Sequence, residues 1–284
     1  MKFGITMFPT DYAIEVVALA RAVEERGFDS LLFPEHTHIP SSRRTPWPGG
    51  AELPREYSHT LDPFVAIGAA AAVTSKIMLG TGICLVIQRD PIVLAKEVAS
   101  VDFVSNGRFL FGIGGGWNEE EMEDHGTDPR KRWGVLRERM MAMKQIWTQE
   151  EGEYHGKHVD FPAIWSWPKP VQKPHPPVLV GGDAPHTLKR VIEYGDEWMP
   201  IPTRGPAHLA ERMRELNRMA EEAGRGPVPV TCFGVPPRAE AIEGFEKIGV
   251  RRCVFFLPPV IEPDALLLLD RYAGMIRDFE KAGA

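Results

Sequence analysis

Cysteine is scarce in this chain. Its 284 residues include three, Cys84, Cys232 and Cys253. They lie far apart inside apolar runs and show no CxxC spacing. A disulfide framework, a thiolate metal site and a dithiol redox pair are therefore excluded, and each cysteine reads as a small buried hydrophobe. Long hydrophobic runs are missing too: nothing approaches the roughly 18 consecutive apolar residues of a membrane-spanning helix. No basic leader with an apolar stretch precedes the first strand-like segment, so the expectation is a cytoplasmic protein in a reducing compartment. There is no cationic excess. The formal net charge is −6, which argues against a nucleic-acid or anionic-membrane partner. Internal repeats and low-complexity segments are also absent.

What is present is alternation. Eight short apolar runs are each followed by a helix-patterned segment. The runs are Phe3–Phe8, Ser30–Phe33, Ile77–Val86, Arg108–Ile113, Val178–Val180, Trp198–Met199, Pro229–Val235 and Cys253–Phe256. Two helix starts carry the same signal, Asp62-Pro63 and Asp90-Pro91, an aspartate to cap and a proline for the first turn. Strands separated by helices pair in parallel, because each crossover is long. Eight such units, at a length near the ~250 residues typical of the fold, predict a single (β/α)₈ TIM barrel over residues 1–284, with extended loops at the C-terminal face of its strands. An open dinucleotide-binding sheet would want glycines after its first strand, and the turn there, Phe8-Pro9-Thr10-Asp11, has none.

The polar residues with chemical potential follow the runs rather than precede them, which in a barrel gathers them on one rim. Glu35-His36 ends the second run. Histidine titrates near neutrality and a carboxylate can orient it, so the two are candidates for proton handling; a solvated loop pair is the plain alternative. His36-Thr37-His38 also has a metal-like spacing. Metal-dependent barrel hydrolases need further ligands after later strands, and the last run here ends Leu257-Pro258-Pro259 with no carboxylate, so no metal site is assigned. Gly114-Gly115-Gly116-Trp117-Asn118 follows the fourth run. It reads either as a tight turn needing positive φ or as backbone kept bare for a flat ligand, with Asn118 supplying amide hydrogen bonds. Gly181-Gly182-Asp183-Ala184 follows the fifth run, where exposed N–H groups at a helix start favour an anion; Asp183 as a simple helix cap carries equal weight. Long loops around residues 40–54 and 126–132 carry Arg43, Arg44, Trp47, Arg130, Lys131 and Arg132, and such rim loops usually cover a site.

Taken in order, these motifs resemble the luciferase-like monooxygenase superfamily, and within it the oxidoreductases that use the deazaflavin coenzyme F420. The matching pieces are Gly27-Phe28-Asp29-Ser30, Pro34-Glu35-His36, Leu79-Gly80-Thr81-Gly82, Asp90-Pro91 with Ala95-Lys96-Glu97, Ser105-Asn106-Gly107-Arg108-Phe109 and Gly112 to Glu120. Pro168-Lys169-Pro170-Val171-Gln172, Pro176-Pro177-Val178, Gly181-Gly182 and Gly195-Asp196-Glu197-Trp198 follow. Each is weak alone, but the ordered set is specific and runs from residue 1 to about 200; the last ~80 residues match only in pattern. The resemblance implies a cofactor ring at the barrel mouth, supported by a non-proline cis peptide after the third strand, by position Gly82–Ile83. It implies a phosphate site at Gly181, Gly182, Asp183 and Ala184, a histidine beside the ring at His36, and paired barrels in a homodimer. The family's sugar-phosphate dehydrogenases place a glutamate in the turn after strand four. Gly115 or Gly116 stands there in this chain, and Glu119, Glu120 and Glu121 read as helix residues, which puts that oxidation in doubt.

The resulting expectation is an oxidoreductase passing hydride between F420 and an organic small molecule, with Glu35 and His36 handling protons. Gly82, Ile83, Gly114, Gly115, Asn118, Gly181, Gly182, Asp183 and Ala184 would hold the cofactor, and Trp47 and Trp117 would wall the substrate pocket. Two alternatives stay open: an FMN-dependent monooxygenase on the same barrel, and a cofactor-binding protein without turnover.

Overall fold

The computed structural model describes residues 1–50 and 52–283. The elements run β1 (Lys2–Thr6), α1 (Val16–Glu25), β2 (Ser30–Phe33), α2 (Glu56–His59), α3 (Pro63–Val73), β3 (Met78–Thr81), α4 (Pro91–Val104), β4 (Phe109–Ile113), α5 (Glu119–Asp124) and α6 (Arg132–Thr148). They continue β5 (Gly152–His155), β6 (Asp160–Ile164), β7 (Val178–Gly181), α7 (Thr187–Tyr194), β8 (Glu197–Met199), α8 (Gly205–Glu222), β9 (Thr231–Val235), α9 (Ala239–Lys247), β10 (Arg252–Phe256) and α10 (Glu262–Gly283). All eight expected runs are strands of one parallel sheet in the order β8-β7-β4-β3-β2-β1-β10-β9. The two ends of that order meet through a parallel bridge between Trp198 and Val230, and Phe233 N–H donates to Pro200 O at 2.9 Å. The architecture is thus the expected α/β barrel. No helix among the described residues is long and apolar enough to cross a membrane.

Local chemistry explains the elements. Asp62 Oδ1 accepts from Phe64 N and Val65 N at 2.8 and 3.1 Å, and Asp90 Oδ1 accepts from Ile92 N and Val93 N at 3.0 and 2.9 Å, so both Asp-Pro pairs start helices as read. The strands β2 and β4 are buried along their whole length, as parallel strands covered on both faces must be. Inside the barrel, Leu32, Leu110, Leu179, Met199 and Val254 from five strands form a compact apolar layer, with Ile83 and Phe233 packed against it.

Two local readings change. The stretch from Gly152 to Pro177, which holds none of the eight apolar runs, contains the antiparallel hairpin β5–β6. Its turn is held by Glu138, whose Oε2 accepts from His158 N at 2.6 Å and Val159 N at 3.1 Å. The helix expected from Ala184 begins at Thr187, and its cap position is His186, so Asp183 is not the cap.

The N-terminal end of the barrel is closed by charge rather than by hydrocarbon. Arg252, fully buried at the start of β10, donates to Asp29 Oδ2 at 2.7 Å and to Thr231 Oγ1 at 3.3 Å, and lies 3.8 Å from Glu197 Oε1. Thr231 in turn donates to Glu197. Burial raises the Asp29 carboxyl, but Arg252 and Lys2 outweigh it and hold it below its ordinary range. Removing the guanidinium leaves Asp29 to Lys2 and Glu197 to Thr231 and Arg251, so the loss is that of a shared buried cation and not of every partner. Arg252→Leu is therefore expected to cost about 2–3 kcal/mol of unfolding free energy in urea titrations. A loss below about 1 kcal/mol would show that this network does not stabilise the fold.

Candidate active site

The opposite end, the C-terminal mouth, is built around Ile83. The Gly82–Ile83 peptide is cis, at the position the resemblance implied. Half-buried, Ile83 sits on the interior apolar layer. A Cβ on Gly114 would lie 2.7 Å from Ile83 Cδ1, and one on Gly181 would lie 3.1 Å from Ile83 Cγ2. A Cβ on Gly115 would lie 2.5 Å from the Trp133 ring. The reading of Gly114 and Gly115 as bare backbone for a flat ligand is corrected in its cause: their missing side chains make room for Ile83 and Trp133. The turns after β3, β4 and β7 are thereby brought together, and the surface they present is the Ile83 side chain with its flanking glycine backbone.

Glu35 is placed elsewhere than a proton shuttle needs. Its carboxylate is buried, 3% exposed. Oε2 accepts from Leu85 N at 2.5 Å and Oε1 from Arg89 Nε at 2.6 Å. Arg89 also binds Glu97 at 2.9 Å and Asp62, and its guanidinium lies 4.8 Å from the Phe64 ring centre. Burial lowers the Arg89 pKa, but the surrounding carboxylates, Glu35 foremost, outweigh it and hold the group above its ordinary range. Both oxygens of Glu35 are thus occupied in holding the segment after the cis peptide.

His36 points the other way. It is 9% exposed, and its Nδ1 lies 2.9 Å from Glu121 Oε2, a carboxylate 1% exposed. The ring stands 5.1 Å from Tyr57 and 5.9 Å from Trp117, and Tyr57 stands 5.8 Å from Trp47 and 4.8 Å from Phe8. The expected pocket walls Trp47 and Trp117 therefore converge on His36 through Tyr57. Asn118 caps α5, its Oδ1 accepting from Glu121 N at 3.4 Å; its Nδ2, like Glu121 Oε1, is buried with no protein partner. Two site residues escaped the sequence reading. Glu121 had a legible sign, since Asn118-x-x-Glu121 spans one turn from a helix cap. Tyr57 had none, because α2 is four residues long inside a loop.

The loop after β2 is latched to the rim. Glu120 Oε1 accepts from Arg44 N at 2.5 Å, Arg44 Nε at 3.0 Å and Thr45 N at 3.0 Å, while Oε2 accepts from Thr45 Oγ1 at 2.6 Å. Burial raises the Glu120 carboxyl, but these bonds outweigh it and hold it at about 2. Arg44 also reaches Glu123 at 2.8 Å, and Arg43 lies 5.8 Å from the Trp117 ring centre. Further out, Thr37, His38, Asp124 and His125 form an exposed hydrogen-bonded group. No set of three or more His, Cys, Asp or Glu side chains among the described residues is arranged to hold a metal ion.

In the turn after β7, Gly182 adopts φ +97°, and α7 begins further on, at Thr187. Asp183, expected to help hold a phosphate, is bound instead to His208 at 3.1 Å and Arg212 at 3.2 Å. Beside it, Trp133 carries Arg190 at 3.5 Å from its ring centre and Arg132 at 5.3 Å. Burial, reinforced by Arg132, lowers the Arg190 pKa despite the opposing influence of Tyr194. Arg190's guanidinium has no hydrogen-bond or ion-pair partner among the described residues, Arg132 Nε is buried without one, and Arg132 reaches only Glu119, at 3.9 Å. Both guanidiniums are therefore available to an anion.

Comparison with known proteins agrees with this fold. The sequence profile of the luciferase-like monooxygenase family matches residues 1–240. A Mycobacterium tuberculosis protein, Uncharacterized protein Rv0953c, is 40% identical over 281 residues, covering 97% of this chain and 99% of its own. Among solved structures, the monooxygenase RslO1 from Streptomyces bottropensis superposes with a TM-score of 0.77 at 20% identity, over 98% of this chain and 99% of that one. The coenzyme F420-dependent tetrahydromethanopterin reductase from Methanopyrus kandleri superposes with a TM-score of 0.74 at 18% identity, over 98% and 99%. At such identities the two likenesses carry the fold alone. With most of its length matched by the profile, the chain belongs to the luciferase-like monooxygenase family of oxidoreductases, whose similar proteins include F420-dependent enzymes and monooxygenases.

Proposed function

We propose that the protein transfers hydride between F420 and an organic substrate. The observation that carries this reading is the Arg132–Trp133–Arg190 stack beside the Gly181-Gly182 turn. FMN and F420 both bring a phosphate to such a turn, but only the deazaflavin continues into an acidic tail, and the unpaired Arg190 with the loosely held Arg132 suits that extension. The rest of the mouth fits a flat ring: Ile83 offers an apolar floor, and the buried Asn118 Nδ2 is a donor in need of an acceptor. When bound, F420 supplies hydride chemistry at its ring. The chain's own part is to hold the ring over Ile83, to keep Glu35 and Arg89 as the frame beneath it, and to present His36 to the substrate. Trp47, Tyr57 and Trp117 line the approach and exclude water.

Parallel titrations test the cofactor. F420 is expected to bind saturably and more tightly than FMN. Arg190→Ala should weaken F420 about 10–100-fold and FMN far less, as befits losing a charge-assisted contact to the tail. No saturable F420 binding defeats the reading, and tighter FMN binding replaces it with the monooxygenase alternative. Bound F420 that no substrate panel oxidises or reduces would favour a binding role without turnover.

We infer further that the segment from His38 to Gly50 is a lid latched by Glu120. The Glu120 pKa of about 2 lies below the ordinary 4.5, so the latch contributes fully above about pH 4.5 and is lost as pH falls toward 2. Glu120→Gln should open the lid at neutral pH. Trypsin should then cut after Arg43 or Arg44 about tenfold or more faster than in the native chain. Equal cleavage rates would show that Glu120 does not hold the loop.

Two copies are inferred to pair through α3 and α4. From Pro63 to Val73 helix α3 has no polar side chain, yet Val65 is 71% exposed, and Val93, Phe103 and Val104 of α4 are exposed with it. Sedimentation is expected to show a dimer for the native chain and a folded monomer for the double variant Val65→Glu, Phe103→Glu. A native monomer, or an unchanged dimer in the variant, refutes this pairing.

A further inference from the structure

The Glu121–His36 pair carries more than a local contact. Glu35, adjacent to His36 in the chain, is fully engaged by Leu85 N–H and Arg89. Glu121 comes from α5, 85 positions further along, and meets the ring at Nδ1. Both side chains are nearly enclosed, and among the described residues the His36 ring makes its hydrogen bond through Nδ1, with none at Nε2. A carboxylate can only accept, so a neutral imidazole in this contact must carry its proton on Nδ1. The other nitrogen is then a bare lone pair, on a ring flanked by Tyr57 at 5.1 Å and Trp117 at 5.9 Å.

We propose that Glu121 is the positioning residue that fixes His36 in its Nδ1–H form, making Nε2 a proton acceptor for a hydroxyl-bearing substrate. This rests on the hydride-transfer reading above and adds its substrate class and direction. A hydroxyl O–H directed at Nε2 breaks toward nitrogen, its proton forming Nε2–H. The carbon gives up its hydrogen with the electron pair to the oxidised deazaflavin, and a carbonyl remains. The imidazolium so formed keeps both protons matched, one to Glu121 and one to the new carbonyl oxygen. Arg89 is paired with Glu35 and Arg44 with Glu120, while Arg43, 5.8 Å from the Trp117 ring centre, donates only to the Thr45 carbonyl. The aromatic walls beside His36 suit a hydroxyl-bearing substrate with an apolar body.

The test needs no substrate. Nitrogen-15 histidine spectra of the cofactor-free protein, recorded at about pH 9 where an ordinary imidazole (pKa ~6.5) is neutral, report which ring nitrogen carries the proton. His36 is identified by the signals lost in His36→Gln. The native chain should show Nδ1–H. Glu121→Leu, checked for folding by circular dichroism, should lose that preference and shift toward Nε2–H. A native ring protonated on Nε2, or a Glu121→Leu ring that stays Nδ1–H, overturns the proposal. If the variant fails to fold, the native spectrum decides alone. F420 titration of the same samples separates the two levels, since failure to bind F420 defeats the hydride-transfer reading whatever the tautomer. With a reactive alcohol in hand, Glu121→Leu should lower kcat at least about tenfold while leaving KM within about threefold. A change confined to KM also overturns it.

Discussion

The buried Glu35 carboxylate is the constraint on which the mouth of the barrel depends. It stands at the end of β2 and grips the chain just beyond the cis peptide through Leu85 N–H. Through Arg89 it extends to Asp62, which caps α3, and to Glu97 on α4. One acid thereby ties together the exits of two strands, the start of α3 and the middle of α4. The arrangement is not neutral, since three carboxylates surround one guanidinium. The imbalance shows at Glu97, where burial, with Asp62 and Glu35 nearby, raises the carboxyl above its ordinary range despite Arg89. A buried group that cannot leave its partner without a large desolvation cost is a good anchor and a poor shuttle. Cys84, between the cis peptide and Leu85, shares this setting; burial, and Glu35 after it, keep its thiol protonated.

From that anchor the geometry propagates by packing. With Leu85 held, Ile83 is pressed onto the interior layer, and the glycines after β4 and β7 close around it. A side chain at Gly114 would collide with Ile83, and one at Gly115 with Trp133. Trp133 is in turn the plate that carries Arg132 and Arg190. The apolar floor and the cationic end of the site are therefore not independent: Gly115 lets Trp133 in, and Trp133 positions the arginines. The far end of the barrel follows another rule, with Arg252, Asp29, Thr231 and Glu197 making a closed polar plug and no open cavity chemistry. Stability groups at one end and reactive groups at the other is the division this fold allows.

What the linear sequence revealed, and what it hid, divides along the same line. The eight strands, the two Asp-Pro helix starts and the glycine turns are local events, governed by periodicity, capping and φ, and so were legible. The hairpin β5–β6 was not. Its strands carry alternating charges and a proline, and the anchor of its turn, Glu138, lies on α6. Arg190 gave no sign because its significance depends on Trp133, 57 positions away, lying beneath it. Glu35 was legible as important but not in its role, because a carboxylate's task depends on which donors reach it, and Arg89 and Leu85 arrive from a different strand exit.

The Glu35-His36 pair shows why adjacency misleads. Neighbours in extended chain point to opposite sides. Glu35 turns into the frame beneath the mouth, so His36 must face the chamber and cannot use Glu35 as its partner. Its carboxylate comes instead from α5, where three consecutive glutamates point about 100° apart. Glu119 faces outward near Arg132, Glu120 holds Arg44 and Thr45, and Glu121 meets His36. A single helical turn, capped by Asn118, thus holds both the loop after β2 and the ring of His36. Displacing that turn would loosen both at once, because the two contacts share one stretch of backbone, without any longer pathway between them.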